Sequence, residues 1–220
     1  MNLEAVILCL DTVLAETDEV NFKAWKRLSD EIGVDFDRET YQKMREVSRR
    51  TAMNIFFKDQ GIPEEEIQAA LDRQNNFYHE LMVKMTPGDV LPGVLEILKA
   101  LRSASIRIGI CSDHEDTQKA LDAVGLTPLV DRIGDSRSVK ETLPEPDLLL
   151  YVAHEMGVKP ENCVVFANQQ KEIEAANRAG MYAIGIGAPE QLAGSDVVYP
   201  SFKSVTLDQI NTDLEAARPY

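Results

Sequence analysis

The chain has 220 residues, of which 44% are hydrophobic, so it can bury a substantial core as one α/β domain or as a domain with a small insert. Its formal net charge of −14 argues against nucleic acids and anionic membranes as partners, because a strongly acidic surface repels both polyanions. The apolar run at the N-terminus is preceded by Glu4 and interrupted by Asp11, which predicts neither a signal peptide nor a membrane span.

The three cysteines, Cys9, Cys111 and Cys163, each lie in or at the end of an apolar run, and none belongs to a CxxC pair. An odd number of cysteines in such places predicts reduced thiols, without disulfides or structural zinc. We therefore expect a reducing compartment and a cytoplasmic location.

The first predicted element is a strand. A short apolar run from Ala5 to Leu8 is followed by Cys9, Leu10 and Asp11, with polar or ionisable side chains at alternate positions. This pattern is typical of a buried parallel strand as it leaves its sheet. In open α/β folds, ligands bind in the crevice outside the carboxyl ends of the strands. The pattern therefore predicts that Cys9 and Asp11 stand at a binding site, with their side chains on one side of the chain.

Helical patterns without an intervening strand fill the next part of the chain, over 17–33, 38–47, 50–61 and 63–85. The first of these helices begins with Thr17 as N-cap. An all-helical insert at this place predicts a cap over the site, hinged on the linkers at each of its ends. The predicted domains are a cap over 16–87 and a core formed by 1–15 and 88–220.

Strands and helices alternate after the insert. Strands are predicted over 106–111, 132–134, 163–166 and 182–186, and helices over 92–103, 115–124, 147–156 and 170–179. This alternation predicts an α/β fold, in which a doubly wound, Rossmann-like parallel sheet carries the helical cap after its first strand.

The segment from Leu8 to Val13 resembles the first motif of the haloacid-dehalogenase-like phosphotransferases, Asp-x-Asp-Gly-Val/Thr. In that family the first Asp is the nucleophile and the second is the general acid/base. Cap and core together are similar to the β-phosphoglucomutase branch. The segments that carry this similarity are Phe22-Lys23-Ala24-Trp25-Lys26, Glu31-Ile32-Gly33, Glu46-Val47-Ser48-Arg49, Asn75-Asn76-Phe77-Tyr78, Leu91-Pro92-Gly93-Val94, Pro144-Glu145-Pro146-Asp147 and Ile184-Gly185-Ile186-Gly187.

The resemblance implies catalytic positions at which this chain often carries another residue. Asp11 keeps the acid/base position, and Ser112 keeps the hydroxyl that holds the transferring phosphoryl group. The remaining positions have changed: the nucleophile and metal ligand is Cys9, the lysine is Leu143, and the two acidic metal ligands are Ala167 and Asn168. Mg²⁺ prefers hard oxygen ligands, which a thiol does not supply. We expect no cofactor, and Mg²⁺ only if the degenerate site still functions.

These substitutions bear on catalysis. Phosphoryl transfer relies on positioning and on stabilisation of the charge spread over the phosphoryl oxygens. The loss of one such group commonly lowers the rate by ~10² to 10³. Because several groups are replaced at once, we expect the family's reaction to be very weak or absent, even with non-additivity allowed for.

Each core assignment has a structural alternative. Cys9 is either a thiolate nucleophile, with His114 or Asp11 as its base, or an inert buried thiol, and the absence of a basic residue in its strand favours the second. Asp11 either keeps its acid/base role or bonds backbone N–H groups and fixes the loop into the cap. Ser112 either binds phosphate or caps the helix that begins near Glu115.

The resemblance also assigns substrate-facing positions in the cap. Val47 and Arg49 belong to a Val-Ser-Arg segment whose Arg contacts the distal phosphate of the substrate in the resembled mutases. Thr17 and Trp25 match positions that face the substrate. The alternatives are a solvated charge at a helix end for Arg49 and a core residue of the cap for Trp25. His114 is a new ionisable group at the cleft, or a packing residue.

Three hypotheses follow for the function. The first is a catalytically impaired or inactive relative that binds a phosphorylated small molecule, such as a sugar phosphate, in the cleft between cap and core. The second is an active but altered enzyme, a Mg²⁺-dependent sugar-phosphate phosphatase or phosphoglucomutase, or a thiol-dependent one. The third is a scaffold whose partner is another protein.

Overall fold

The computed structural model describes residues 2–14, 17–45, 47, 49–58, 63–115 and 117–217, without the side chains of Arg49 and Ser204. Within these ranges the strands form one six-stranded sheet. The strands are β1 (Ala5–Cys9), β2 (Arg107–Cys111), β3 (Arg132–Gly134), β4 (Cys163–Ala167), β5 (Tyr182–Ile186) and β6 (Val197–Tyr199). Their order across the sheet is β3-β2-β1-β4-β5-β6, and all neighbours are parallel.

The α-helices of the described chain are α1 (Leu10–Val13), α2 (Thr17–Ile32), α3 (Arg38–Arg45), α4 (Arg49–Phe56), α5 (Glu64–Met82), α6 (Val94–Ser103), α7 (Thr117–Ala123), α8 (Asp147–Met156), α9 (Gln170–Arg178) and α10 (Leu207–Ala217). The sheet grows in both directions from β1, with α2 to α5 inserted between β1 and β2. The predicted fold class, a doubly wound parallel sheet with a helical cap, is confirmed. None of these helices combines the length and the apolar character needed to cross a membrane.

The central strand β1 is buried along its whole length. Val6 and Leu8 pack into one apolar core, whereas Ala5, Ile7 and Cys9 pack into the other. A strand that is covered on both faces must be apolar at every position, and β1 is therefore a continuous apolar run. Its parallel pairing with β2 and β4 brings the carboxyl ends of three strands together at one edge of the sheet.

The helical insertion, α2 to α5, has an apolar interior that is continuous with the core on the Val6 face of the sheet. α2 packs on α5, and α3 packs on α4. The ring of Phe56 lies 5.1 Å from that of Trp25 and 5.5 Å from that of Phe36, measured between centroids. Aromatic clusters of this kind bury large areas, so these rings help to hold the helices of the insertion together.

The two linkers of the insertion lie side by side. Leu14 and Val90 form an isolated antiparallel bridge, and the backbone N–H of Leu91 donates to the carbonyl of Val13 at 2.9 Å. These contacts tie the two linkers together next to the sheet edge. The domain limits 16–87 for the cap, with 1–15 and 88–220 for the core, stay a prediction, as does the hinge.

The observed elements differ from the predicted ones at their ends, in the unpredicted turn α1 and in the last part of the chain. Thr17 is the first residue of α2 rather than its N-cap, and α7 begins at Thr117 rather than near Glu115. α4 ends at Phe56, because the chain turns at Lys58, which has a positive φ of 53°. β6 and α10 were not predicted. β6 has only three residues, all half-buried, and so short a strand shows no clear periodicity.

Candidate functional site

A polar cleft lies between the carboxyl edge of the sheet and the helical insertion. Its cavity volume is about 60 Å³, which holds a few water molecules and is too small for a sugar phosphate. The sheet side contributes Leu10, Asp11, Cys111, Ser112, Asp113, His114, Leu143, Gln169, Lys171 and Glu172. The insertion contributes Asp18, Asn21, Trp25, Tyr41, Met44, Arg45, Val47, Ala52 and Gln74.

Asp11 lines the cleft from a helical turn and not from a strand. The strand ends at Cys9, and Leu10–Val13 forms α1, in which Thr12 Oγ1 donates to the carbonyl of Cys9 at 2.6 Å. The prediction that Cys9 and Asp11 project from the same side of one strand is therefore wrong. The hydrogen bond from Thr12 starts the helical turn α1. Side chains alternate between the two faces of the sheet only within the strand, so the alternation ends at Cys9.

The carboxylate of Asp11 is held by neighbours on two elements. Gln169 Nε2 donates to its Oδ2 at 2.8 Å, and Asn168 Nδ2 donates to its backbone carbonyl at 2.8 Å. Burial raises the pKa of Asp11, and a hydrogen bond from Thr17 and the charge of Lys171 offset only part of this effect. Asp11 is thus both a structural anchor and a carboxyl group with a raised pKa that faces the cleft.

Cys9 is buried, and it does not line the cleft. Its Sγ lies 3.3 Å from Sγ of Cys111, the residue paired with it on β2. The contact with Cys111 and burial raise the pKa of Cys9 well above its ordinary value, and the charge of Glu172 acts in the same direction. Because the thiolate is the nucleophile, the neutral thiol of Cys9 is poorly suited to attack phosphorus.

The loop after β2 carries Ser112, Asp113 and His114 to the cleft. Ser112 is buried, and its Oγ accepts a hydrogen bond from the backbone N–H of His114 at 3.2 Å. Ser112 therefore shapes its own loop, and the structure gives it no bond to the first turn of α7. Thr117 Oγ1 instead donates to the carbonyl of His114 at 2.9 Å.

The imidazole of His114 stacks on the ring of Tyr78, with 3.9 Å between centroids and 13° between planes. Tyr78 belongs to α5 of the insertion, whereas His114 belongs to the sheet side. The sequence suggested two alternatives for His114, an ionisable residue of the cleft or a packing residue. In the structure His114 lines the cleft and also packs on Tyr78, so both descriptions apply.

Sequence analysis did not identify Lys171, which the first turn of α9 brings into the cleft. Its Nζ lies 2.8 Å from Oδ2 of Asp113, and the two side chains are only 12% and 8% exposed. Burial alone would lower the pKa of Lys171, but the Asp113 carboxylate outweighs burial and the net shift is upward. Lys171 therefore remains a charged ammonium at neutral pH.

Glu172, the next residue, was also missed. Its Oε2 accepts hydrogen bonds from the backbone N–H groups of Asn168 at 2.9 Å and Gln169 at 3.1 Å, which forms a capping box at the start of α9. Burial and the charge of Asp11 raise the pKa of Glu172 to about 7. The spacing Gln169-x-x-Glu172 at the predicted start of a helix was the signal that could have identified it.

The insertion brings some of the predicted cap residues to the cleft. Trp25 and Val47 line it, and Trp25 also packs in the aromatic core, so both interpretations of this residue describe part of its position. Thr17 is buried and hydrogen-bonded to Asp11. Arg49 begins α4, but its side chain lies outside the described atoms. Arg45, which was not predicted, lines the cleft, with its Nε 3.4 Å from Oδ1 of Asp18.

The residues that the resemblance assigns to the family's metal positions do not fit Mg²⁺. Cys9 is buried against Cys111, Ala167 has no ligand atom in its side chain, and Nδ2 of Asn168 donates to a backbone carbonyl. Oδ1 of Asn168 is buried without a hydrogen-bond partner, but one hard oxygen does not make an octahedral site. Among the described residues, no group of three or more His, Cys, Asp or Glu side chains is arranged to hold a metal ion.

Leu143, which the resemblance assigns to the family's lysine position, is buried and lines the cleft with an apolar side chain. Thus the sheet side keeps one cation, Lys171, among the residues that the structure describes there, and it comes from α9 instead. The arrangement can accept a small anion beside Ser112 and Lys171, with Asp11 as a nearby proton donor or acceptor.

Comparison with known proteins identifies relatives along almost the whole chain. A sequence profile of a family described as "Haloacid dehalogenase-like hydrolase" matches residues 6–186. The β-phosphoglucomutase of Bacillus subtilis strain 168 is 30% identical, over 98% of this chain and 97% of that protein. A protein of Thermotoga maritima named "Phosphorylated carbohydrates phosphatase" is 27% identical, over 83% of this chain and 84% of its own.

Solved structures are also similar. The crystal structure of β-phosphoglucomutase from Clostridium difficile superposes with a TM-score of 0.90 at 27% identity and covers 97% of this chain and 98% of that one. A Rhodobacter sphaeroides CbbY structure in complex with xylulose-1,5-bisphosphate has a TM-score of 0.80 at 23% identity, with 94% and 98% of the two chains covered. At 23% identity, the similarity to the CbbY structure shows a shared fold and nothing more.

Proposed function

The chain belongs to the haloacid dehalogenase-like hydrolase family, and from this premise we propose that its cleft binds a phosphorylated small molecule, a sugar phosphate being the expected class. The observation that carries the proposal is the charged Lys171, which is buried beside the loop of Ser112 in a cleft closed by the insertion. A buried ammonium suits a phosphoryl group, because charge-assisted hydrogen bonds are strong there. The named activities of the relatives, on phosphoglucose and on phosphorylated carbohydrates, support the same class of ligand.

We propose further that transfer of the phosphoryl group by the family's route is impaired. The nucleophile position holds the buried neutral thiol of Cys9, and the metal positions lack the oxygen ligands for Mg²⁺. Each lost electrostatic group lowers such a rate by ~10² to 10³. The expected function is therefore recognition of the ligand, with closure of the insertion over it as the response.

An altered sugar-phosphate phosphatase or phosphoglucomutase is the second candidate, and it is the function that the relatives by themselves favour. Asp11 is the observation in its favour, since a carboxyl group with a raised pKa at the cleft is suited to general acid/base work. The hypothesis of a protein partner and the cytoplasmic location stay predictions.

Binding tests the first proposal. Thermal unfolding should be measured with inorganic phosphate and a panel of hexose and pentose phosphates, each with and without Mg²⁺, against the matching unphosphorylated sugars. A ligand at about a hundred times its Kd adds ~2.7 kcal/mol to the free energy of unfolding, and each kcal/mol raises the Tm by roughly 2 to 4 °C for a chain of this size. A flat response to every phosphorylated compound would contradict the proposal.

Turnover of a ligand that binds decides between the two candidates. A phosphatase releases inorganic phosphate, whereas a phosphoglucomutase converts the ligand into an isomeric sugar phosphate without net release, so both products are measured. If the chain is an enzyme of the second kind, one of these rates should be measurable and should fall by at least tenfold in Asp11→Asn. The first candidate predicts binding without turnover above that of the Asp11→Asn variant. The unfolding midpoint of the variant provides the control, because Asp11 is also a structural anchor.

A further inference from the structure

The cleft contains an ion pair whose position is not explained by packing alone. Lys171 and Asp113 come from different elements, α9 and the loop after β2, and both side chains are almost completely buried. Desolvation of two charges costs several kcal/mol per ion in proteins, so a buried pair is weak evidence for stability. A role of one partner in binding a ligand would explain why the pair is present despite this cost.

The charges around Lys171 show what an incoming anion would meet. On the sheet side of the cleft, Asp11, Asp113 and Glu172 surround the single ammonium that the described residues supply there. On the opposite wall, Arg45 is close to Asp18. A phosphoryl group that enters this side must therefore interact with Lys171, because the other titratable neighbours there are carboxylates, the buried thiol of Cys111 and the imidazole of His114, which is stacked on Tyr78.

We infer that Lys171 is the internal cation of the ligand site, which takes the place of a divalent metal ion, and that Asp113 occupies the ammonium until the phosphoryl group arrives. This inference rests on the proposed function and adds to it the competition between Asp113 and the phosphoryl group for the ammonium of Lys171. The phosphoryl oxygens accept from Nζ of Lys171 in competition with Oδ2 of Asp113, which is now 2.8 Å away. Binding is consequently independent of Mg²⁺.

The competition makes two predictions of opposite sign. Loss of the cation in Lys171→Met should weaken binding of a phosphorylated ligand by at least tenfold, whereas Lys171→Arg, which keeps the charge, should retain most of it. Removal of the competing carboxylate in Asp113→Asn should tighten binding several-fold. A purely structural ion pair would not produce tighter binding when it is broken, because loss of one partner only destabilises the protein.

The experiment is titration calorimetry with inorganic phosphate and with one sugar phosphate that shifts the unfolding of the wild-type protein. It is run in EDTA and again in Mg²⁺. Lys99→Met is the matched control, because Lys99 is exposed on α6 and away from the cleft. Circular dichroism and the unfolding midpoint establish that each variant is folded. If Lys171→Met does not fold, Lys171→Arg and Asp113→Asn still carry the test.

The outcomes separate the inference from the proposed function. Equal affinity of the wild-type protein in EDTA and Mg²⁺, with the two opposite effects of the variants, supports the inference. Binding that requires Mg²⁺, or unchanged binding in Lys171→Met, or weaker binding in Asp113→Asn, overturns it and leaves the proposed function standing. If no phosphorylated compound binds to the wild-type protein, the proposed function itself fails, and the inference fails with it.

Discussion

The sequence resemblance assigns Cys9 to the family's nucleophile position, and the surroundings of Cys9 decide what its thiol can do. It is buried, in contact with Cys111, and close enough to Glu172 for that carboxylate to oppose its ionisation. A thiol in such a place behaves as a small apolar group. The same residue at a solvent-exposed strand end beside a cation would have had the opposite properties.

This environment predicts slow chemistry at all three thiols. Cys9, Cys111 and Cys163 are buried and unpaired, so a thiol reagent at pH 8 should leave the folded protein almost unmodified within minutes. The denatured protein should titrate three thiols. Mass spectrometry after brief alkylation identifies which cysteines are modified. Rapid modification of Cys9 in the folded protein would contradict this prediction and support the hypothesis that Cys9 is a nucleophile.

Glu172 makes the stability of the protein depend on pH. Its pKa is raised to about 7, above the unfolded value of 4.5, so the folded state holds the proton more tightly. The free energy of unfolding should therefore fall as the pH rises from about 4.5 through about 7, by roughly 3 kcal/mol for this group at most.

Glu172→Gln tests this dependence. The amide oxygen can still accept from the N–H groups of Asn168 and Gln169, so the start of α9 is retained. Urea unfolding between pH 5 and pH 8 should show a clearly shallower decline in the variant than in the wild-type protein. Parallel profiles for the two proteins would contradict the assignment. Asp11, whose pKa is also raised, accounts for a decline that remains.

At the scale of elements, the stacked pair of Tyr78 and His114 connects α5 to the loop after β2. A stacked pair contributes about 0.5 to 1.5 kcal/mol beyond the burial of its area. The insertion also reaches the core through the two linkers that pair at Leu14 and Val90. The stack thus joins the insertion to the sheet side of the cleft, and any movement of the insertion away from that side would break it.

Removal of this contact should open the cleft more often. In His114→Ala, hydrogen exchange of the second half of α5 should be faster than in the wild-type protein, whereas exchange in β1 and β4 should be unchanged. The matched control is His154→Ala, on the exposed surface of α8. Equal exchange of α5 in all three proteins would show that the stack does not hold the cleft closed.

The whole molecule has a formal net charge of −14, whereas the proposed ligand is an anion. Long-range repulsion slows the encounter of like charges, and salt screens it with a Debye length of about 10 Å at 0.1 M. The buried Lys171 acts at short range, where salt has less influence. The negative net charge of the chain therefore slows the approach of the anionic ligand, whereas the positive charge of Lys171 attracts the ligand once it is in the cleft.

This contrast predicts an unusual salt dependence. The association rate of a sugar phosphate, measured by stopped flow, should rise several-fold as the ionic strength increases from low to near-physiological values. Ligands attracted by their protein show a falling rate under the same change. A falling rate here would mean that the cleft presents a positive field despite the acidity of the chain.

The fold class was predictable from the sequence, because apolar runs and helical periodicity are local residue patterns that do not depend on tertiary packing. β4 and β5 were predicted to within one residue of their observed limits, and the placement of the helical insertion after the first strand was correct. Asp11, Ser112, His114, Trp25 and Val47 were also named before the cleft that they line was known.

Which groups act on one another depends on tertiary packing. Lys171 and Asp113 are 58 residues apart in the chain, and only the packing of α9 on β4 and β5, in a sheet that sets β4 two strands from β2, brings their charges within 2.8 Å. Burial, which raises the pKa values of Cys9 and Glu172, likewise depends on residues from several elements. A sequence motif shows which side chains are present. How far each side chain is exposed to solvent, and which groups it contacts, depends on how the elements pack in the folded protein.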